Sequence, residues 1–257
     1  MTSTCDDRHV GPDQIVARLK AIRDARMRVL LLVEAFREGD PMLWVQVLAT
    51  IVNRAHVVDD ADAIEALESI THAAADPALS YETRQSLYEA ASDLGLAAIA
   101  RLFLATAAPA TEAALAPERP LKPTGRPLTL GERKALARTN RRDQILLLTR
   151  DPHPAVIAIL LGNPHVTEAD IVRIAAARPG VPASLAAIAA HPRWSVRHAV
   201  KRALVLNPAT PLADAIRIAT TLRRNELEEI AADPALPEQL RRHAADVCVQ
   251  SQRRPRA

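Results

Sequence analysis

Histidines are the residues of this sequence best suited to metal chemistry, and three of the eight lie beside prolines. His153, His165 and His191 each fall in a segment that we predict to be a turn between helices. If such turns line up at one end of successive helices, three neutral imidazoles could bind one metal ion. The alternative interpretation is three hydrogen-bonded or surface histidines, and on that interpretation we assign no metal ligands.

Other catalytic and cofactor patterns are missing from the sequence. It contains no glycine-rich phosphate loop, no G-x-S-x-G, no H-E-x-x-H and no C-x-x-C. Its two cysteines, Cys5 and Cys248, lie near opposite ends of the chain and are too few for a structural zinc site. We therefore expect no enzyme, no catalytic residue and no bound cofactor.

One cluster of residues could bind a partner. It combines an aromatic side chain with closely spaced cations, namely Arg193, Trp194, Arg197, His198, Lys201 and Arg202. On a helix beginning near Ser195, Arg197 and Lys201 would share one exposed face, and Val196 would point inward. Such a face could bind an acidic protein or nucleic-acid phosphates. The alternative is structural: Trp194 packs between neighbouring helices, and the cations are a solvated surface.

The elements that carry these residues are predicted to be helices throughout. Aromatic residues make up only 2% of the 257 residues and seven are glycine, while alanine is abundant, which favours helix over strand. No apolar run approaches the roughly 20 residues that span a membrane, and no signal peptide is recognisable. We expect an all-α cytoplasmic protein, and the excess of arginine over lysine suggests a bacterial one.

Charge and proline content divide the chain into parts. Residues 1–126 carry 13 basic and 18 acidic side chains, whereas residues 127–257 carry 20 and 12. Prolines concentrate between the two parts, in a segment with few large apolar residues. We predict an N-terminal helical domain over 1–107, a proline-rich linker over 108–127 and a helical-repeat domain over 128–250.

Helical periodicity and proline positions predict the individual elements. Before the linker we expect four or five antiparallel helices, of which the first is one long helix covering Ile15 to Phe36. After the linker, residue pairs such as Asp151-Pro152 and Asn163-Pro164 separate short helix-prone runs, and the polar residue before each proline can bond the freed backbone groups. Nine short helices are predicted there, at 130–138, 141–150, 154–162, 168–177, 183–190, 195–206, 211–222, 225–232 and 237–249.

The second half also contains a repeat. Pro152, Pro192 and Pro234 are 40 and 42 residues apart, and a valine follows the first two prolines by four residues, at Val156 and Val196. Over about 150–246 these sequence motifs resemble bacterial HEAT-like repeats and the leucine-rich repeat variant, whose units read V-R-x-A-V-x-x-N-P-x-T-P. The resemblance implies a right-handed α-solenoid. The resemblance does not imply an Fe–S cluster, because this sequence lacks the cysteines that would bind one.

The function predicted from these observations is non-enzymatic binding. We expect a protein–protein interaction scaffold or adaptor that uses the surface of the repeat domain, with an acidic protein as its partner. The alternative is sequence-independent nucleic-acid binding by the basic second half. That alternative typically needs six to ten cationic contacts, and no basic residue recurs at the aligned repeat positions.

Overall fold

The structure is a computed structural model that describes residues 11–58, 60–104 and 127–251. Within these ranges it is all-helical and contains no strand, as the composition predicts. No helix among the described residues is both long and apolar enough to cross a membrane. The contacts between residues divide the chain into two compact units, which are described separately.

Unit 1 contains the N-terminal helices and, unexpectedly, the last two helices that the structure describes. Its helices are α1 (Pro12–Ala21), α2 (Ala25–Glu38), α3 (Pro41–Asn53), α4 (Ala61–Ala75), α5 (Tyr81–Asp93), α6 (Ala97–Phe103), α14 (Arg224–Ala232) and α15 (Glu238–Gln250). One π-helical turn, Arg54–Val58, follows α3.

The predicted long first helix is two helices. The chain leaves the helical conformation at Ile22, and the Asp24 carboxylate accepts a hydrogen bond from the backbone N–H of Met27 at 2.8 Å. An aspartate at this position satisfies an N–H that has no partner within the helix, so it favours a new start at Ala25. The apolar periodicity continues across the break, which is why the pattern alone suggested one helix.

The core of unit 1 is built around three of the chain's six aromatic residues. Phe36 of α2 lies edge-on to Trp44 of α3, with ring centroids 5.1 Å apart, and to Phe103 of α6 at 6.0 Å. Between α5 and α6, Gly95 has a positive φ of 67°, a conformation that glycine adopts without steric cost. The segment from Tyr81 is therefore two helices.

Helix α15 packs against the N-terminal helices of unit 1. Arg101 of α6 forms an ion pair with Asp246 of α15 at 2.6 Å, and the Asn53 side chain donates to the carbonyl oxygen of Ser251 at 3.0 Å. The observed division of the chain thus differs from the predicted domains, because Arg223–Asp233 and the residues from Glu238 onward belong with the N-terminal helices. Positions 108–126 of the predicted linker lie outside the described residues.

Unit 2 consists of seven short helices joined by turns. They are α7 (Leu130–Leu136), α8 (Arg142–Leu148), α9 (Pro154–Gly162), α10 (Glu168–Ala176), α11 (Pro182–Ala190), α12 (His198–Val205) and α13 (Leu212–Ala219). Most starts and ends agree with the predicted helices to within three residues. Helices α7, α9, α11 and α13 contact one another in succession, and α10 contacts α12.

The turns of unit 2 confirm the predicted role of the polar residues before proline. The side chains of Asp151, Asn163 and Asn207 each accept a hydrogen bond from the backbone N–H two residues later, at 2.9–3.1 Å. Each proline stops the preceding helix, and the residue before it closes the turn. At the start of α7, Thr129 and Glu132 form a capping box.

The predicted alignment of prolines at 40-residue spacing is wrong. Three helices, α9 to α11, lie between Pro152 and Pro192, so the two prolines do not begin equivalent helix pairs. Val156 is fully buried in α9, whereas Val196 lies in a turn and is 51% exposed. Helices α9 and α11, which contact each other, begin 28 residues apart, at Pro154 and Pro182, because each helix is only about two turns long.

Candidate binding surface at the helix turns of unit 2

The six residues of the predicted cluster do not all reach the surface. Trp194 is only 2% exposed and Lys201 only 7%. Arg193, Arg197, His198 and Arg202 are exposed. Lys201 therefore does not belong to an exposed cationic stripe, and the cluster is smaller than the sequence pattern suggested.

The difference arises from where α12 begins. The predicted start was Ser195, but residues 192–196 form turns and the helix begins at His198. Val196 and Arg197 therefore lie outside the helix, and the facing that a helix from Ser195 would give them does not apply. Within α12, Lys201 is buried along with Val200 and Leu204, whereas Ala199 is exposed.

Trp194 joins two turns of unit 2. Its indole Nε1 donates to the carbonyl oxygen of Leu161, at the end of α9, over 2.8 Å. The guanidinium of Arg193 lies over the indole ring, 4.2 Å from the ring centroid. Trp194 thus packs between helices, as the structural interpretation expected, while Arg193 is held at the surface above it.

A second pair of arginines lies in a neighbouring turn. Arg138 and Arg141, between α7 and α8, are exposed. The Asn163 side chain, at the end of α9, donates to the carbonyl oxygens of Ala137 and Thr139 at 2.8 and 2.9 Å. The α7–α8, α9–α10 and α11–α12 turns are therefore tied to one another, and we call Arg138, Arg141, Arg193 and Arg197 the cationic edge.

Positive charge prevails along the cationic edge. Among the described residues, none of its four arginines forms an ion pair with a carboxylate. The acidic residues at the same helix ends are Asp143 and Glu168, and the nearby His198 is exposed. The charges of these arginines are therefore available for an external anion.

Another arginine at the same helix ends has an internal partner. Arg142 at the start of α8 donates to the fully buried Asp170 of α10, with Nη2 2.7 Å from Oδ1. Burial raises the pKa of Asp170, but the hydrogen bonds from Arg142 and from Thr167 outweigh it and lower that pKa to about 2. This pair fixes the position of α8 relative to α10 and so belongs to the scaffold.

The three histidines considered for metal binding are not brought together. His153 and His165 lie at opposite ends of α9. Nδ1 of His153 accepts from the N–H of Ala155, and Nδ1 of His191 accepts from the N–H of Arg193. Burial and the nearby Arg193 lower the pKa of His191. Among the described residues no group of three or more His, Cys, Asp or Glu side chains is arranged to hold a metal ion.

Sequence reasoning missed Arg138 and Arg141 as members of the cationic edge. Their turn and the α11–α12 turn are both bonded to the end of α9 by side chains, and those bonds cannot be read from local spacing. Asn-Pro recurs at 163 and 207, but only Asn163 bonds the turn that carries Arg138 and Arg141, whereas Asn207 bonds the α10–α11 turn. Comparison of the chain with known protein families, with curated proteins and with solved structures finds no match.

Proposed function

We propose that this protein is a non-enzymatic interaction module in which the cationic edge of unit 2 docks an acidic surface of a protein partner. The observation that carries the proposal is the group of four exposed arginines without an internal carboxylate partner. Hydrogen bonds tie together the turns that carry these arginines, and each guanidinium group can donate two parallel hydrogen bonds to a carboxylate.

The proposal includes an α-solenoid fold for unit 2, of the HEAT or leucine-rich repeat variant kind. Two features favour it. Helices two apart in the chain contact each other, as α9 and α11 do, and asparagine side chains at the ends of helices donate hydrogen bonds to an earlier turn. Asn163 donates to Ala137 and Thr139, and Asn207 donates in the same way to Ala175 and Ala177 at 2.7 and 3.0 Å. Stacked helices of this type characteristically present a continuous surface to a partner.

An acidic protein fits the cationic edge better than nucleic acid does. Phosphate-backbone binding at useful strength typically involves about six to ten cationic contacts, and the edge offers four arginines. Single strands also need exposed aromatic platforms, and Trp194 is buried against α9. Four guanidinium groups suffice for several bidentate carboxylate contacts on a protein surface.

The test is a titration of the full chain with two defined probes, a labelled glutamate-rich peptide and a labelled single-stranded oligonucleotide, at two salt concentrations. We expect the peptide to bind, and the variant Arg138→Glu, Arg141→Glu, Arg193→Glu, Arg197→Glu to lose at least about tenfold in affinity.

The control variant changes the net charge equally at arginines off the edge, namely Arg18→Glu, Arg23→Glu, Arg37→Glu, Arg150→Glu. Equal losses in the two variants would show a mere effect of net charge and would contradict the proposal. Tighter binding of the oligonucleotide, with a salt dependence that indicates six or more phosphate contacts, would replace the acidic protein by nucleic acid.

A further inference from the structure

The two tyrosines of the chain are exposed on one face of α5, in unit 1. Tyr81 is 77% exposed and Tyr88 is 36% exposed. They are seven residues apart, which on an α-helix places them on the same side, about 10 Å from each other. The other four aromatic residues of the chain, Phe36, Trp44, Phe103 and Trp194, are buried.

Acidic residues form a second row beside the tyrosines. Glu82, Glu89 and Asp93 are exposed on α5 at spacings of seven and four residues, so they lie along one line of the helix. This row is rotated by about 100° from the tyrosine row, and long side chains of the two rows can contact the same bound group. We call these five residues the tyrosine face.

Among the described residues of the neighbouring elements, no free cation neutralises the tyrosine face. The one basic residue of α5, Arg84, is half-buried, and its Nη2 donates to the carbonyl oxygen of Asp76 at 2.5 Å. Helix α5 packs on α3, which has no charged residue, and on α6, whose Arg101 pairs with Asp246. The face therefore combines aromatic rings with uncompensated negative charge.

We propose that the tyrosine face is a docking site for an arginine-rich segment of a partner protein. A guanidinium group stacks on an aromatic ring through cation–π attraction and at the same time donates to carboxylates, which matches both rows of the face. Arg193 above Trp194 in unit 2 shows the same stacking geometry within this chain. A lysine-rich segment gains less, because its ammonium group is a point charge that does not stack.

The experiment measures binding of the full chain to a labelled helical peptide with arginines on one face, and to the same peptide with lysines, by fluorescence anisotropy. We expect the arginine peptide to bind severalfold more tightly than the lysine peptide. Tyr81→Ala, Tyr88→Ala should weaken its binding at least about tenfold. Tyr81→Phe, Tyr88→Phe keeps the rings and should retain most of the affinity.

The matched control is Met27→Ala, Leu30→Ala, which truncates two exposed apolar side chains of α2 in the same unit and should leave binding unchanged. Equal affinities for the arginine and lysine peptides would overturn the proposal, as would unchanged binding by the Tyr81→Ala, Tyr88→Ala variant. The same titration is carried out with a chain that ends at Ser251. If only this shorter chain binds the peptide, the removed residues Arg253, Arg254 and Arg256 occupy the face in the full chain, and the external partner is overturned.

Discussion

At the scale of single residues, Asn163 and Asn207 each connect two turns of unit 2. Each side chain accepts one bond within its own turn and donates two to the end of another helix. The first bond was predictable, because a polar residue before proline commonly closes a turn. The donated bonds were not, since their acceptors lie 24 to 32 residues away in sequence.

Replacing either asparagine should destabilise unit 2. Asn163→Ala or Asn207→Ala leaves buried carbonyl oxygens without a donor, which costs about 1–3 kcal/mol. Urea unfolding of the full chain, followed by circular dichroism, measures this change. The control is Asn140→Ala in the exposed α7–α8 turn, with an expected loss below about 0.5 kcal/mol. Equal losses at positions 140 and 163 would contradict the role of the cross-turn bonds.

We expect His243 to make the stability of unit 1 depend on pH. It is fully buried in α15, and burial, with smaller contributions from the charges of Arg101 and His56, lowers its pKa to about 3. The unfolded chain, in which the pKa is near 6.5, binds a proton between pH 6.5 and 3 that the folded chain excludes. This contribution is complete above pH 6.5, and it falls by up to about 1.4 kcal/mol per pH unit as the pH drops toward 3.

The variant His243→Leu should therefore lose less stability than the wild type between neutral pH and pH 4, as measured by urea unfolding at each pH. His165→Leu removes an exposed histidine and should follow the wild-type curve. Parallel curves for the wild type and His243→Leu would show that His243 is not held neutral in the folded chain.

At the scale of elements, prolines and capping residues predicted the helices of unit 2 closely, because each helix is only about two turns long and both of its ends are marked. Where an end was marked by other means, the prediction was wrong. Asp24 begins α2 inside an unbroken apolar pattern, and the turn after His191 continues to Arg197. Because of the second error, the predicted binding cluster included Lys201 and Trp194, which are buried in the structure.

The break between α1 and α2 can be tested at its cap. Asp24→Ala removes the acceptor for the N–H of Met27 and should cost about 1 kcal/mol, whereas Asp24→Asn keeps an acceptor and should cost only a few tenths. Urea unfolding compares the two variants. If both cost the same, the side chain of Asp24 does not act as the cap.

At the scale of the whole chain, its last helices belong to the same unit as its first. The ion pair between Arg101 and Asp246 and the bond from Asn53 to Ser251 connect segments far apart in sequence. Neither local periodicity nor charge composition contains this information, so the sequence suggested a domain boundary that separated them. The predicted all-α class needed only composition, and it is confirmed for the described residues.

Deleting residues 238–257 should loosen unit 1 where α15 packs on it. We expect hydrogen exchange to become faster in α3 and α6, which contact α15, and less so in α1. Deleting only residues 252–257 keeps α15 and serves as the control. Unchanged protection of α3 and α6 in the longer deletion would contradict the role of α15 in unit 1.

The most direct test of the cationic edge is site-specific photo-cross-linking in extracts of the native organism. A photoreactive residue is placed at position 138, 197 or 150, the last at the opposite end of the helices of unit 2. The account predicts that one acidic protein cross-links at both 138 and 197, in a salt-sensitive manner, and not at 150. Equal cross-linking at all three positions, or cross-linking of nucleic acid at 138 and 197, would contradict it.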